Sequence, residues 1–270
     1  MNIELIDFYS RLGAIALIIG LGIFLGKKKW LDNHSNEHLV NLLLTIFMPA
    51  ALFSAFPSEY SEESLGMFFS GLAGGALVML VLIVVSKLLF NKLFYKRQLR
   101  FESQFAFIFN NATFLGYPII AATFGQAGLI PYLGFIISFN LALFSYGVFL
   151  FEKKLSWKLI GKTLINPNIV AVILGMVLFL TNLRLPDFIN SAVGFTAGAT
   201  TPLSLLCIGF MLSHADLKAM IHKWRLFVTA ASQLILGPMI TLLVLSVFNF
   251  PKEVIVVCSL IQALPTATSL

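Results

Sequence analysis

The sequence predicts an all-α polytopic membrane protein, an inverted repeat of five transmembrane helices (5+5, the last helix missing from this chain) with two crossed, broken helices. Three observations predict it: an extreme apolar composition, a one-sided distribution of lysine and arginine, and an echo of the first half in the second. Of the 270 residues, 59% are hydrophobic and 11% charged, far outside soluble composition. Soluble enzymes and nucleic-acid binders are thereby excluded. The net charge of +6 comes from basic residues in short segments between apolar runs, where membrane topology explains it better than an anionic polymer does. Cys207 and Cys258 lie inside apolar runs without a CxxC partner and read as small hydrophobes, giving no clue to compartment.

A spanning helix needs about 20 mostly apolar residues, and nine runs qualify when the chain is cut at its polar clusters. The first, 8–26, follows a polar start with Glu4 and Asp7 and precedes Lys27, Lys28 and Lys29, the reverse of a cleaved signal. The second, 38–56, contains Met48-Pro49-Ala50, and the third, 64–89, ends on Lys87. The fourth and fifth are 101–125 and 128–151. Lys153 to Leu164 (KKLSWKLIGKTL) mixes apolar residues with lysines, as a short helix lying on the membrane surface would. The sixth to ninth runs are 166–183, 188–213, 224–249 and 252–270. Domains follow as 1–152 for the first repeat, 153–164 for the cytoplasmic linker and 165–270 for the second. With the amino terminus outside, strict alternation puts 15 of the 18 lysines and arginines in inner segments. The outer loops hold only Arg184 and Lys252, and Arg11 lies at the outer end of the first run.

The echo fixes the architecture. Ile15 to Gly26 laid over Val170 to Thr181 matches at Ala16/Ala171, Ile18/Ile173, Gly20/Gly175, Phe24/Phe179 and Leu25/Leu180. Pro49 and Pro202 stand 153 apart against 155 for that overlay, so runs one and two echo six and seven. Repeats of five spans enter the membrane from opposite sides, the plan of many secondary transporters. The second copy is one span short, and a longer complete chain carrying a tenth span is expected.

The chemistry gathers in two places. The fourth run centres on Asn110, Asn111, Thr113, Gly116 and Pro118 at mid-membrane depth. Proline removes an amide hydrogen and clashes with the preceding turn, glycine weakens helix, and asparagine amides can pair with freed backbone, so the helix should break there, its second half beginning near Pro118. The ninth run repeats this with Gln262, Pro265, Thr266 and Thr268. Matched interruptions point to a binding site, because unwound backbone is tolerated only where it lines a cavity. The second halves then aim positive amino-terminal ends at mid-membrane from opposite faces, and an anion is stabilised there. Pro49 and Pro202 are weaker signals, equally explained by bending scaffold helices for close packing.

No Asp, Glu, Lys, Arg or His falls in the middle of any run. Proton coupling through a carboxylate is thus disfavoured, which leaves uniport or a coupling cation held by carbonyl and hydroxyl oxygens. No cofactor and no resident metal are expected. His34-Ser35-Asn36-Glu37-His38 matches H-x-x-E-H, whose histidines would share a helical face, but no third ligand accompanies it. His214 and His222 read as solvated inner-loop residues, and Asn111-Ala112-Thr113 is a glycosylation sequon misplaced at mid-membrane.

On MPAALF (48–53), NNATFLGYPI (110–119), NPNIVAVILG (166–175), TPLSLLCIGFML (201–212) and ALPTATS (263–269), the chain resembles the auxin efflux carrier family across its whole length. Bacterial members of that family include malate and malonate permeases. The resemblance implies ten helices in two inverted repeats, a fold shared with bile-acid sodium symporters and sodium/proton antiporters. Runs one, two, six and seven would form a scaffold, through which a homodimer can form, and runs three, four, five, eight and nine a moving transport unit. Asn110, Asn111 and Pro118 map to the first crossing and Gln262 and Pro265 to the second, Gln262 standing where asparagine is expected. The expected function is a cell-membrane permease or efflux carrier for a small organic anion, a carboxylate by preference, working by alternating access, with that anion and the lipid bilayer as partners. A sodium-coupled symporter of the bile-acid type, a non-transporting sensor and a membrane enzyme using the HxxEH loop are the alternatives.

Overall fold

The computed structural model describes residues 2–57, 59–91, 97–152, 165–215 and 224–266. The linker at 153–164 and its expected surface helix, together with Thr268, lie outside these residues. The described chain is helical. α1 is Asn2–Lys27. α2 runs over Asn33–Ser54, taking in a wide turn of i→i+5 bonding at Leu43–Phe47, and α3 is Glu62–Leu89. α4 is Arg97–Ile108. Helix resumes at Ala112 and continues to Glu152, interrupted at Gly125, whose φ of 57° and ψ of −143° only glycine takes up readily. It therefore comprises two helices, α5 (112–124) and α6 (126–152). α7 is Pro167–Thr181, α8 Asp187–Ser213, α9 Trp224–Val247 and α10 Lys252–Gln262.

Among the described residues six stretches are long and apolar enough to cross a membrane: Tyr9–Lys27, Asn33–Ser54, Glu62–Leu89, Ala112–Phe151, Asp187–Ser213 and Trp224–Val247. α7 is shorter, and α4 and α10 have 12 and 11 residues. At 1.5 Å per residue the last two reach about 18 Å, little more than half of a bilayer core of roughly 30 Å. Large apolar side chains such as Leu17, Phe195 and Leu80 are exposed, as lipid-facing positions require.

The chain divides into two compact units. The first holds residues 1–60, 117–129 and 167–216, hence α1, α2, most of α5, α7 and α8. Lipid tails are as apolar as leucine, so helices gain by close backbone approach rather than by burying oil from water. α1 and α8 do this through Gly22 and Gly209: a Cβ at Gly209 would overlap the Ile19 carbonyl, and one at Gly22 the Leu206 carbonyl. Gly175 lets α7 reach the Phe53 carbonyl of α2 and the Phe56 ring just beyond its end. The wide turn of α2 ends next to Pro49, whose missing N–H and bulky ring a standard turn accommodates poorly. The Thr200 hydroxyl of α8 donates to the Phe47 carbonyl there, at 2.8 Å. Arg11 donates to the Ala122 carbonyl, tying α1 to α5.

The second unit holds residues 61–116, 130–166 and 217–270, hence α3, α4, most of α6, α9 and α10. Gly71 and Gly134 bring α3 and α6 to backbone contact, at the Pro131 and Phe68 carbonyls respectively. Ser138 of α6 donates to the Leu72 carbonyl at 2.7 Å. Phe105, Phe109 and Phe139 form an aromatic chain, with ring centres 4.9 and 5.8 Å apart in succession. Thr229 of α9 donates to the Ser103 hydroxyl of α4 at 3.0 Å.

A candidate anion site at two broken helices

The first break lies at 109–111. The Phe109 N–H makes the last bond of α4, to the Phe105 carbonyl. Asn111 then starts α5 as its cap: its Oδ1 accepts from the Phe114 N–H at 3.1 Å, and its carbonyl accepts from Leu115 and Gly116 at 3.3 and 3.0 Å. The break thus precedes the expected Gly116-Pro118 position, and the second half begins at Ala112 rather than near Pro118. Pro118 does not break the helix, because the wide turn at Ala112–Gly116 makes room for its ring, as the turn before Pro49 does. What breaks the helix is a capping asparagine that bonds the backbone better outside a helix than within it.

The second break follows Gln262. The Ala263 N–H still reaches the Ser259 carbonyl and Leu264 the Ile261 carbonyl, after which Pro265 leaves helical geometry. The buried Gln233 of α9 donates its Nε2 to the freed Gln262 and Leu264 carbonyls. Gly237, one turn on, faces the same segment, where a Cβ would make an ordinary contact of 3.6 Å with the Gln262 carbonyl oxygen.

The two unwound segments pair with each other. Asn110 and Thr266 form an antiparallel bridge, and the Asn111 N–H donates to the Pro265 carbonyl at 2.7 Å. The Thr266 hydroxyl donates to the Ala106 carbonyl at 3.2 Å. The Asn110 side chain donates to Gln262 Oε1 at 2.8 Å. Backbone freed from two helices is thus satisfied strand to strand, the condition for irregular structure at membrane depth. The amide pair is not satisfied: Asn110 is 1% and Gln262 0% exposed, yet Asn110 Oδ1 and Gln262 Nε2 have no partner among the described residues. A buried polar atom left unmade costs about 1–3 kcal/mol, so one acceptor and one donor stand there with capacity to bond something else. By helix geometry the Ala112 and Thr113 amides have no carbonyl one turn earlier in α5, which leaves the positive end of that helix beside the same crossing.

Asn110, Asn111, Gln262, Pro265 and Thr266 are therefore brought together. Thr113 is half-buried in the first turn of α5, and Gly116 is buried, 3.5 Å from Leu264 Cδ1 if given a Cβ. Pro118 is buried in segment 117–129, which belongs to the first unit, as do Pro49 and Pro202. Thr268 is outside the described residues. His34 and His38 lie on exposed turns of α2 with their Nε2 atoms 3.1 Å apart. Reading only ionisable residues within spans misses Gln233, and with it Tyr132, whose hydroxyl donates to the Ala112 carbonyl at 3.0 Å. A neutral polar residue amid an apolar run, as in Ser232-Gln233-Leu234, was the available signal.

A search of curated proteins finds no match to this chain. A family model described as membrane transport protein matches residues 8–160 and 153–270. The two matches reach from the first span to the last residue, and the chain belongs to this family of membrane transporters, that of the auxin efflux carriers, as a multi-pass membrane protein.

Proposed function

We propose that the protein is a secondary transporter for a small organic anion, a carboxylate by preference, bound at the crossing of Asn110–Asn111 with Pro265–Thr266. The observation that carries the reading is the buried Asn110–Gln262 pair with its unused acceptor and donor, set beside the amino-terminal end of α5. A carboxylate bonds to amide hydrogens and is drawn to a helix amino terminus without a fixed cation, which suits spans that lack one at their centres. Release then needs only a change in which face of the membrane the crossing meets, the alternating access of a transport unit working against a scaffold.

An inverted repeat is the proposed frame. Asn110 and Gln262 are 152 residues apart, and Phe47 and Thr200, bonded within the other unit, are 153 apart. Both separations lie within one residue of the 153 between Pro49 and Pro202. Contacts between equivalent residues of two copies are what a two-fold relation produces, as at a self-complementary interface. Sodium coupling is the alternative, favoured by the carbonyl and hydroxyl oxygens gathered at the crossing. A stabilisation screen of organic acids on purified protein, followed by flux of the stabilising acid in proteoliposomes with and without a sodium gradient, tests both. The reading fails if no acid stabilises the protein and none is transported.

A further inference from the structure

Away from the crossing, the second unit contains a cavity of about 320 Å³ lined by Lys87, Asn91, Arg100, Gln104, Tyr146 and Phe149, among others. It lies at the end of α3 that carries Lys87 in its last turn, the end that the basic-residue bias assigns to the cytoplasm. Two cations and no carboxylate are among its lining residues. Cations at helix ends ordinarily extend into water or headgroups. Arg100 does not do so fully: its Nε is buried and has no hydrogen-bond partner, while its guanidinium stacks 4.7 Å from the Phe101 ring centre. Lys87 is held over the Tyr146 ring at 5.2 Å, so an aromatic face lies against each of the two charges. Gln104 is buried and spends its Nε2 on the Phe90 carbonyl, closing the inner wall. Phe90, Phe101, Phe149 and Leu150 supply the cavity's apolar lining, and of these Phe149 is 43% exposed.

We infer that this cavity binds the phosphate of an anionic phospholipid. A guanidinium with an unused N–H matches a phosphate oxygen, and Lys87 supplies a second charge. The volume lies within the range of small-ligand pockets and exceeds what a bare phosphate fills, leaving room for the rest of a headgroup. The exposed Phe149 in the lining offers an acyl chain an apolar surface, which selects a lipid over a free phosphate, and basic pockets between spans on the cytoplasmic side suit such headgroups. This site owes nothing to the transported anion and stands or falls separately from it.

The test is native mass spectrometry of the full chain with phosphatidylglycerol or phosphatidylcholine of identical acyl chains, with inorganic phosphate as competitor. Phosphatidylglycerol should be retained at least tenfold better than phosphatidylcholine, and inorganic phosphate should not displace it. Lys87→Gln and Arg100→Gln should each weaken retention at least fivefold, whereas Lys28→Gln, at the end of α1, should not. Equal retention of the two lipids, or wild-type retention in both cavity variants, overturns the inference. Displacement by inorganic phosphate overturns the choice of lipid. Thermal melting in phosphatidylcholine alone identifies a variant that has lost its fold, and Lys87→Gln, at an exposed position, carries the test should Arg100→Gln be one.

Discussion

Replacing Asn111 by alanine separates what this residue does for the fold from what it does for the site. In the fold its Oδ1 caps α5 through Phe114, and loss of such a cap costs about 1 kcal/mol. Its backbone bond to Pro265 survives the substitution. Even from the low end of ordinary stability, about 5 kcal/mol, a loss of about 1 raises the unfolded fraction only from roughly two in ten thousand to about one in a thousand. Folded protein is therefore essentially unchanged. If the amide also bonds a carboxylate, a charged hydrogen bond of about 1.5–3 kcal/mol is lost, which is about 10- to 150-fold in flux at low substrate. Asn111→Ser keeps a capping oxygen and removes the amide, so it should retain stability yet lose flux similarly. The assay is uptake into proteoliposomes, normalised to monodisperse protein. Asn111→Ala flux within about twofold of wild type would refute the reasoning, and so would a fall in Asn111→Ala that Asn111→Ser fully restores, since that leaves Asn111 a cap and nothing more.

Gly209→Ala should destabilise the protein by about 1–3 kcal/mol, because its Cβ meets the Ile19 carbonyl, whereas Gly198→Ala, with open space around it, should be neutral or better; melting in detergent compares them. A cysteine at Ser61 should be labelled only from outside, with 27–37, 87–100 and 214–223 inside, and labelling from the cytoplasm alone would reverse the orientation. Hydrogen bonding from Ser35, its hydroxyl first and then its amide, holds the Asp32 carboxyl below the usual 3.8, so the cap of α2 contributes above that value and is lost as pH falls through the lowered one. Asp32→Ala should therefore melt earlier than wild type at about pH 5 and converge with it in stronger acid, and a gap that widens on acidification would contradict this.

The membrane character, the long apolar helices and the existence of the two interruptions are legible in the sequence because a bilayer imposes length and apolarity on each span separately. The position of the first break is less legible. Proline and glycine are strong local signals, yet a wide turn absorbs Pro118, and Asn111 ends α4 by capping the next helix. Whether an asparagine caps or sits within a helix depends on what the freed backbone finds nearby. Here it finds the Pro265 carbonyl, a contact more than 150 residues away that no local window contains. Gly125 reads as the edge of a run, but its positive φ is set by how α5 and α6 join. Gln233 was visible as a polar residue in an apolar run, and its role required knowing where the Gln262 and Leu264 carbonyls come free.

The most direct measurement is organic-acid flux by the Asn110→Leu/Gln262→Leu double variant, compared with wild type at equal folded protein. Replacing both members of a buried bonded pair with apolar groups of similar size is close to neutral for stability, and here it also removes two polar atoms that lack partners. If the crossing is the transport site, the variant should fold, insert and carry less than a tenth of the wild-type flux. Wild-type flux from a folded double variant would contradict the account, because transport would then proceed without the polar pair on which the site is built.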